Sequence, residues 1–215
     1  SACLIFSISA SDNPEDEVFV LYDESKNAEA VVCAVPYLRD RDIRTVETGE
    51  TFEDKNFKLV EGIKKHYQDV CDAAEKKEDE ITEKGFSRVP LIALGHLFTA
   101  GGKTIDSDGV RDLYVGSLAH INKDLFPGNI DYLALGHLHV PQKVGDSDYI
   151  RYSGSPIPMG YGEASQEKIV VIIEFTNSEQ QITEIVIPVF QRLERISGSM
   201  EKIIEKIDIL RFEKS

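Results

Sequence analysis

The feature of this chain that most constrains its fold is a pentapeptide, ALGHL, that occurs twice. It stands in LIALGHLFTAGG (residues 91–102) and in DYLALGHLHVPQ (residues 131–142). In both places a short, uninterrupted apolar run leads into Gly-His. Such runs are typical of strands that are covered on both faces, as in the sheets of α/β proteins. We therefore predict two buried strands of one sheet, each ending at a glycine.

The rest of the chain predicts further strands and two helices. Strands are expected at residues 3–9, 17–23, 28–36, 168–175 and 182–190. A helix is expected at residues 199–210, with Ser199 as its N-cap. A longer helix is expected at residues 52–81, because apolar residues recur there at steps of three and four. That stripe comprises Phe57, Val60, Ile63, Tyr67, Val70 and Ala74.

Composition excludes some classes of protein. The 24 basic and 38 acidic residues give a formal net charge of −14, which argues against a general nucleic-acid-binding surface. It does not argue against an enzyme that binds phosphate through metal ions, since bound cations dominate the local charge. No apolar run approaches the roughly 18 residues of a membrane span, so none is expected. The three cysteines are widely spaced, which favours buried free thiols and a cytoplasmic location.

Three of the five histidines follow the two ALG runs: His96, His137 and His139. A strand that ends in Gly-His delivers an imidazole to the edge of the sheet, where ligand sites of α/β folds cluster. Three imidazoles that converge at one edge predict a metal site. The alternative is that each is an ordinary core or loop histidine. His120 has no such setting, and His66, beside the helical stripe, is expected to be an ordinary surface residue.

Four segments carry a resemblance to a known family. They are GHLFTAGG (95–102), SDGVRDLYVGSLAHI (107–121), DYLALGHLHVPQKV (131–144) and IRYSGSPIPMGYGE (150–163). In this order they resemble the second half of the SbcD-type nuclease subunits, which are calcineurin-like metallophosphoesterases. The segment VPYLRDRDIR (35–44) is also similar to that family.

The resemblance implies an α/β fold, a two-layer β-sandwich flanked by helices, at residues 1–190, with a small capping domain beginning at residues 191–215. It also implies two divalent metal ions, expected to be Mn²⁺, with His96 and His137 binding one ion and His139 the other. The implied activity is metal-dependent exo- and endonucleolytic hydrolysis of DNA in end processing, repair, recombination and replication. The implied partners are DNA and an SbcC-type ATPase subunit, with a homodimer inside a heterotetramer.

The chain departs from the family in its early motifs. No D-x-H, G-D-x-x-D or G-N-H-[DE] is found, although GNID (128–131) and GDSDY (145–149) imitate two of them. We expect GNID to be a turn that enters a strand and GDSDY to be a tight hairpin turn. The simplest interpretation is a processed or excised piece, beginning at Ser1, that contains three of the metal ligands, no assigned catalytic residue, and no activity of its own.

Other polar residues keep two interpretations. Asp106, Asp108 and Asp112 are expected to be loop and capping residues rather than oxygen ligands. A structural role is favoured over substrate contact for the residues Arg151, Ser153, Gly154 and Ser155. The arginines Arg39, Arg41 and Arg44 alternate with aspartates, which fits a surface ion-pair lattice as well as phosphate contacts.

Two other functions remain open at this point. One is a phosphatase or cyclic phosphodiesterase of the same superfamily, and the other is a non-catalytic scaffold that retains the fold.

Overall fold

A computed structural model describes residues 9–99, 123–176 and 179–212 of the chain. Residues 3–8 of the first predicted strand therefore lie outside the described residues, as do Cys3, His120 and the three aspartates of residues 106–112. The helices are α1 (Asp40–Ile43), α2 (Phe52–Glu83) and α3 (Met200–Phe212). The strands are β1 (Val18–Tyr22), β2 (Ala28–Ala34), β3 (Leu91–His96), β4 (Tyr132–Gly136), β5 (Gln142–Val144), β6 (Ser147–Tyr152), β7 (Ile169–Thr176) and β8 (Glu179–Val186).

The main sheet of the described chain has six strands in the order β1-β2-β3-β4-β6-β5. The four central strands run parallel, and the edge strands β1 and β5 run antiparallel to their neighbours. The two ALGHL segments are thus adjacent, as predicted, with Ile92 opposite Tyr132 and His96 opposite Gly136. This register brings the ends of β3 and β4 to the same edge of the sheet.

Helix α2 covers one face of this sheet and connects β2 to β3. Its first turn is closed by a capping box, in which the Thr51 hydroxyl accepts a hydrogen bond from the Asp54 amide. The predicted stripe is buried, or half-buried at Val60, except for Phe57, which is 68% exposed. That residue lies roughly 120° around the helix from the centre of the buried face. The prediction for Phe57 was therefore wrong.

The segment GDSDY forms the predicted hairpin turn between β5 and β6. Gly145 and Asp146 both have positive φ angles, 55° and 59°. Two such residues between paired strands are typical of a type I′ turn, whose twist matches that of the flanking strands. This segment therefore resembles the G-D-x-x-D motif in sequence only, because it forms a hairpin turn.

The second sheet in the described residues is the antiparallel pair β7–β8. An ion pair between Arg151 of β6 and Glu184 of β8 connects the two sheets. The prediction of a two-layer sandwich is confirmed only at the coarser level of a mixed α/β fold.

Helix α3 has no buried residue, and the division of the chain near residue 190 stays a prediction. Among the described helices, none has both the length and the apolar character that crossing a membrane requires.

Candidate metal centre

Two of the predicted ligands lie side by side at the edge of the main sheet. His96 is the last residue of β3, and His137 directly follows β4. Their ring centroids are 5.3 Å apart, and the ring planes are inclined by 83°. The predicted convergence of these two rings is therefore observed, because two parallel strands in register end beside each other.

The glycine before each histidine is required by a close approach. A Cβ atom at Gly136 would lie 2.8 Å from Nδ1 of His96, and a Cβ atom at Gly95 would lie 1.8 Å from the hydroxyl of Tyr67. Both distances are shorter than a Cβ atom tolerates, so a larger residue would displace the buried Tyr67 side chain at one position and the His96 ring at the other. The recurrence of Gly-His thus has a packing reason as well as a chemical one.

Loss of hydration shifts the titration of His96. Although the residue is exposed, the surrounding atoms displace part of its water, and this desolvation lowers its pKa below the ordinary value; the nearby His139 ring lowers it further. The neutral form of imidazole, which is the metal-binding form, is favoured as a result.

Aromatic rings flank the two histidines. Tyr37 meets His96 edge to face, with a centroid distance of 6.0 Å, and Phe98 meets His137 in the same way at 6.3 Å. Tyr37 belongs to the segment VPYLRDRDIR, so this segment reaches the candidate site through its tyrosine.

The arginines of that segment have structural partners. Arg39 pairs with Asp42, whose carboxylate also accepts a hydrogen bond from the Arg39 amide at the start of α1. Arg44, whose side chain is 5% exposed, donates to Asp40 and to Glu50. Arg41 remains largely exposed. These contacts favour the ion-pair interpretation for Arg39 and Arg44. The burial of the Arg44 side chain gives its pairs more weight than a surface lattice has, whereas Arg39 is exposed.

His139 is bound on its other side by two residues that the sequence did not single out. Its Nδ1 atom lies 2.9 Å from Oε1 of Glu163, and the Glu163 carboxylate is also paired with Lys168. Burial alone would raise the pKa of Glu163, but the hydrogen bonds with Lys168 and His139 hold it below its ordinary value. These partners are 24 and 29 residues beyond His139, so no local pattern could have indicated them.

The segment RYSGSP has mainly structural contacts. Arg151 is buried and donates to the carbonyl oxygen of Asp148 and to Glu184. Gly154 has a φ of 78°, and a Cβ atom there would lie 2.6 Å from the carbonyl oxygen of His139. Ser155 donates to Glu163. The segment therefore supports the loop that carries His139, as the structural interpretation predicted.

His66 is not the ordinary surface residue that its position beside the stripe predicted. Its side chain is only 13% exposed, and its Nε2 atom lies 2.9 Å from Oε2 of Glu17. Glu17 is itself buried. The cause is the packing of the short 3-10 helix Pro14–Glu17 against α2, a long-range contact that helical periodicity does not report.

The described residues fit part of a two-ion site and not the whole. Residues 9–99, 123–176 and 179–212 contain no group of three or more histidine, cysteine, aspartate or glutamate side chains arranged to hold a metal ion. The convergent donors are imidazoles, whereas Mn²⁺ favours carboxylate and other oxygen ligands. The assignment of His96, His137 and His139 as metal ligands stays a prediction.

The backbone at His137 is strained. Its φ angle of 106° lies in a region that favours glycine and that other residues rarely adopt. Strain of this kind costs about 1–3 kcal/mol and tends to be retained at functional sites.

A pair of substitutions measures that strain. The His137→Gly variant is expected to unfold with a free energy about 1 kcal/mol higher than the His137→Ala variant, because alanine keeps the strain and glycine relieves it. Urea denaturation of both variants without metal gives the difference. Equal stability, or a less stable glycine variant, would mean that the backbone at this position is relaxed.

Comparison with known proteins identifies relatives of this chain by sequence similarity. No family model matches the chain. It is 35% identical over 184 residues to the protein of Escherichia coli strain K12 that is named as the D subunit of the nuclease SbcCD, and equally to the protein of that name from Escherichia coli O157:H7. Each alignment covers 83% of this chain and 43% of the relative, so the chain spans less than half the length of these relatives. The resemblance to the SbcD-type subunits is thereby confirmed, and the chain is SbcD-like over the aligned residues.

Proposed function

We propose that this chain is part of the D-type subunit of a metal-dependent DNA exo- and endonuclease. In this proposal the complete protein hydrolyses phosphodiester bonds in DNA during end processing, repair and recombination. Support comes from the relatives, which are named as subunits of a nuclease, at 35% identity over 83% of the chain.

The observation that carries the proposal is the pair His96 and His137. The two rings lie 5.3 Å apart at the end of two parallel strands. The backbone at His137 adopts an unfavourable φ to place its ring there. Backbone strain of this kind tends to be retained at functional sites.

In the proposed site His96 and His137 bind one divalent ion, His139 binds a second, and Mn²⁺ is the expected metal. Such ions lower the pKa of a bound water and stabilise charge on the attacking and leaving oxygens of a phosphodiester. The residues of this chain would bind the ions and keep the imidazole rings in position. Neutral imidazoles donate lone pairs, Gly136 permits the His96 ring to approach, and Tyr37 and Phe98 flank the rings.

The remaining ligands of the proposed site lie outside the described residues. Mn²⁺ needs oxygen donors beside the three imidazoles. We propose that carboxylates from the D-x-H, G-D-x-x-D and G-N-H-[DE] motifs of a longer protein complete the site.

The proposed partners are DNA and an SbcC-type ATPase, in an assembly that contains a homodimer of the SbcD-type protein, in the cytoplasm. The name SbcCD of the relatives supports a partner subunit. With a net charge of −14, contact with DNA phosphates is expected mainly at the metal ions.

A cleavage assay tests the proposal on a longer protein that contains this chain, beside the 215-residue chain itself. With Mn²⁺ we expect the longer protein to degrade linear DNA, a chelator to stop the reaction, and the 215-residue chain to be inactive. Substrates are duplex DNA, a cyclic nucleotide and a small phosphate monoester.

The other outcomes favour the alternatives. Hydrolysis of only the monoester or the cyclic nucleotide would make the protein a phosphatase or a cyclic phosphodiesterase. The absence of all activity, with metal not bound, would favour the scaffold. Cleavage of DNA by the purified 215-residue chain would contradict the proposal that its site is incomplete.

A further inference from the structure

A cluster of buried polar side chains lies directly behind His139. We call the residues Ser155, Glu163 and Lys168 the Glu163 cluster. Glu163 is completely buried, and the side chain of Lys168 is 5% exposed. Removing an ion pair from water costs several kcal/mol, and replacing it with apolar residues is often neutral or stabilising. Stability alone is therefore a poor explanation for this cluster.

The two carboxylate oxygens of Glu163 have different partners. Oε1 faces Nδ1 of His139 at 2.9 Å. Oε2 accepts from Ser155 Oγ at 3.2 Å, from the amide of Met159 at 3.3 Å and from the ammonium group of Lys168. Three donors thus hold one oxygen in place, which leaves the other directed at the histidine ring.

The cluster also holds the backbone of His139. Lys168 Nζ donates to the carbonyl oxygen of His139 at 3.2 Å, and the amide of Ser155 donates to the same oxygen, also at 3.2 Å. Gly154 approaches this carbonyl so closely that a Cβ atom would not fit. Both the ring and the main chain of His139 are therefore fixed from one side.

A carboxylate can only accept a hydrogen bond, so a neutral ring facing it carries its hydrogen on Nδ1. The lone pair is then on Nε2. A carboxylate behind a histidine in this way selects the tautomer and orients the ring toward a metal ion.

We propose that Glu163 is a positioning residue, which holds Nδ1 of His139 as a donor and so makes Nε2 the metal-binding atom. This inference rests on the proposed function for the identity of the ion, but the tautomer can be measured without metal.

The first measurement is the tautomer of His139 in the metal-free 215-residue chain. Long-range ¹H–¹⁵N NMR at about pH 8.5, above the ordinary pKa of imidazole, distinguishes the two forms. We expect Nδ1–H in the unaltered chain. In Glu163→Gln the three donors around the Oε2 position should bind the oxygen of the new side-chain amide. Its NH₂ group then faces Nδ1 of His139 and donates to it, so the ring hydrogen moves to Nε2. The same tautomer in both proteins, or Nε2–H in the unaltered chain, would overturn the inference.

The second measurement is the broadening of histidine ring signals by added MnCl₂. In the unaltered chain the signals of His96, His137 and His139 should broaden at lower Mn²⁺ than those of His66. In Glu163→Gln the His139 signal should need about 10–100-fold more Mn²⁺. If the double variant Glu163→Gln/Lys168→Met is needed to keep the chain folded, the same shift is expected, since Ser155 and the Met159 amide still hold the amide oxygen.

Glu17→Gln is the matched control. Glu17 is also a buried carboxylate at 2.9 Å from a histidine ring, but that ring is His66. It should lose stability in thermal unfolding as Glu163→Gln does, while leaving both His139 readouts unchanged. If Glu17→Gln changed the tautomer and the Mn²⁺ broadening of His139 as much as Glu163→Gln does, general destabilisation would explain both variants and the inference would be overturned.

The outcomes separate the two proposals. If His96→Ala and His137→Ala weaken Mn²⁺ binding but Glu163→Gln does not, the positioning role is wrong and the proposed function stands. If Mn²⁺ broadens none of the three signals before His66, the metal-binding role of Nε2 is wrong whatever the tautomer, and the cleavage assay on the longer protein decides the proposed function separately.

Discussion

Replacement of His137 by alanine is expected to reduce DNA cleavage by the longer protein more than about 100-fold, with little loss of folded structure. Loss of an outer-shell residue alone typically costs about 10–100-fold in metal affinity or activity, and His137 is proposed to bind the ion itself. The ring lies beyond the end of β4, next to His96, and is not part of the buried apolar core. Initial rates with Mn²⁺ and circular dichroism of both proteins measure the two effects.

His66→Ala is the control for this variant. It removes a ring that pairs with buried Glu17, so it should lower the free energy of unfolding by about 1–3 kcal/mol. Its cleavage rate should stay close to that of the unaltered protein at a temperature where both are folded. If His66→Ala abolished cleavage and His137→Ala did not, the assignment of roles among the histidines would be wrong.

Replacement of Gly95 by alanine is expected to lower the free energy of unfolding by about 3 kcal/mol or more. The added Cβ atom would lie 1.8 Å from the Tyr67 hydroxyl, and Tyr67 is fully buried between α2 and the sheet. Overpacking a rigid core costs about 1–3 kcal/mol, occasionally more, because neither element can move without opening other contacts. Urea denaturation of the 215-residue chain measures the change.

Two further variants identify the clash as the cause. In Gly95→Ala/Tyr67→Phe the hydroxyl is gone and the next atom of Tyr67 is 3.1 Å away, so much of the stability should return. Tyr67→Phe alone should cost little, because the buried hydroxyl has no hydrogen-bond partner in the described residues. Gly128→Ala, which adds a Cβ atom with no neighbour within 4 Å, should be nearly neutral. If the double variant were no more stable than Gly95→Ala, a clash with the Tyr67 hydroxyl would not be the cause of the lost stability.

Sequence patterns predicted local elements where one physical rule dominates. Uninterrupted apolar runs indicated β3 and β4, and periodicity indicated α2 within a few residues of its ends. The pair Gly145–Asp146 indicated a hairpin turn because few residues tolerate a positive φ. The same rules failed for Phe57, since periodicity reports an apolar stripe but not the face that the sheet will cover.

The candidate site could be predicted in part. The repeated Gly-His indicated that His96 and His137 end parallel strands at one edge, and the observed register is the reason they meet. Glu163 and Lys168 could not be found in this way. They reach His139 only after the chain has passed through the hairpin and the segment after β6, and their role depends on burial.

The sequence by itself determined which residues lie at strand ends, because an uninterrupted apolar run and the glycine that ends it are features of a few neighbouring residues. Only the tertiary structure decided which of those residues are held by others. The contrast between two histidines illustrates this. His66 is paired with Glu17 and His139 with Glu163, at 2.9 Å in both cases. Both partners are distant in sequence, and a buried carboxylate selects its partner through packing and the loss of water, which no local pattern encodes.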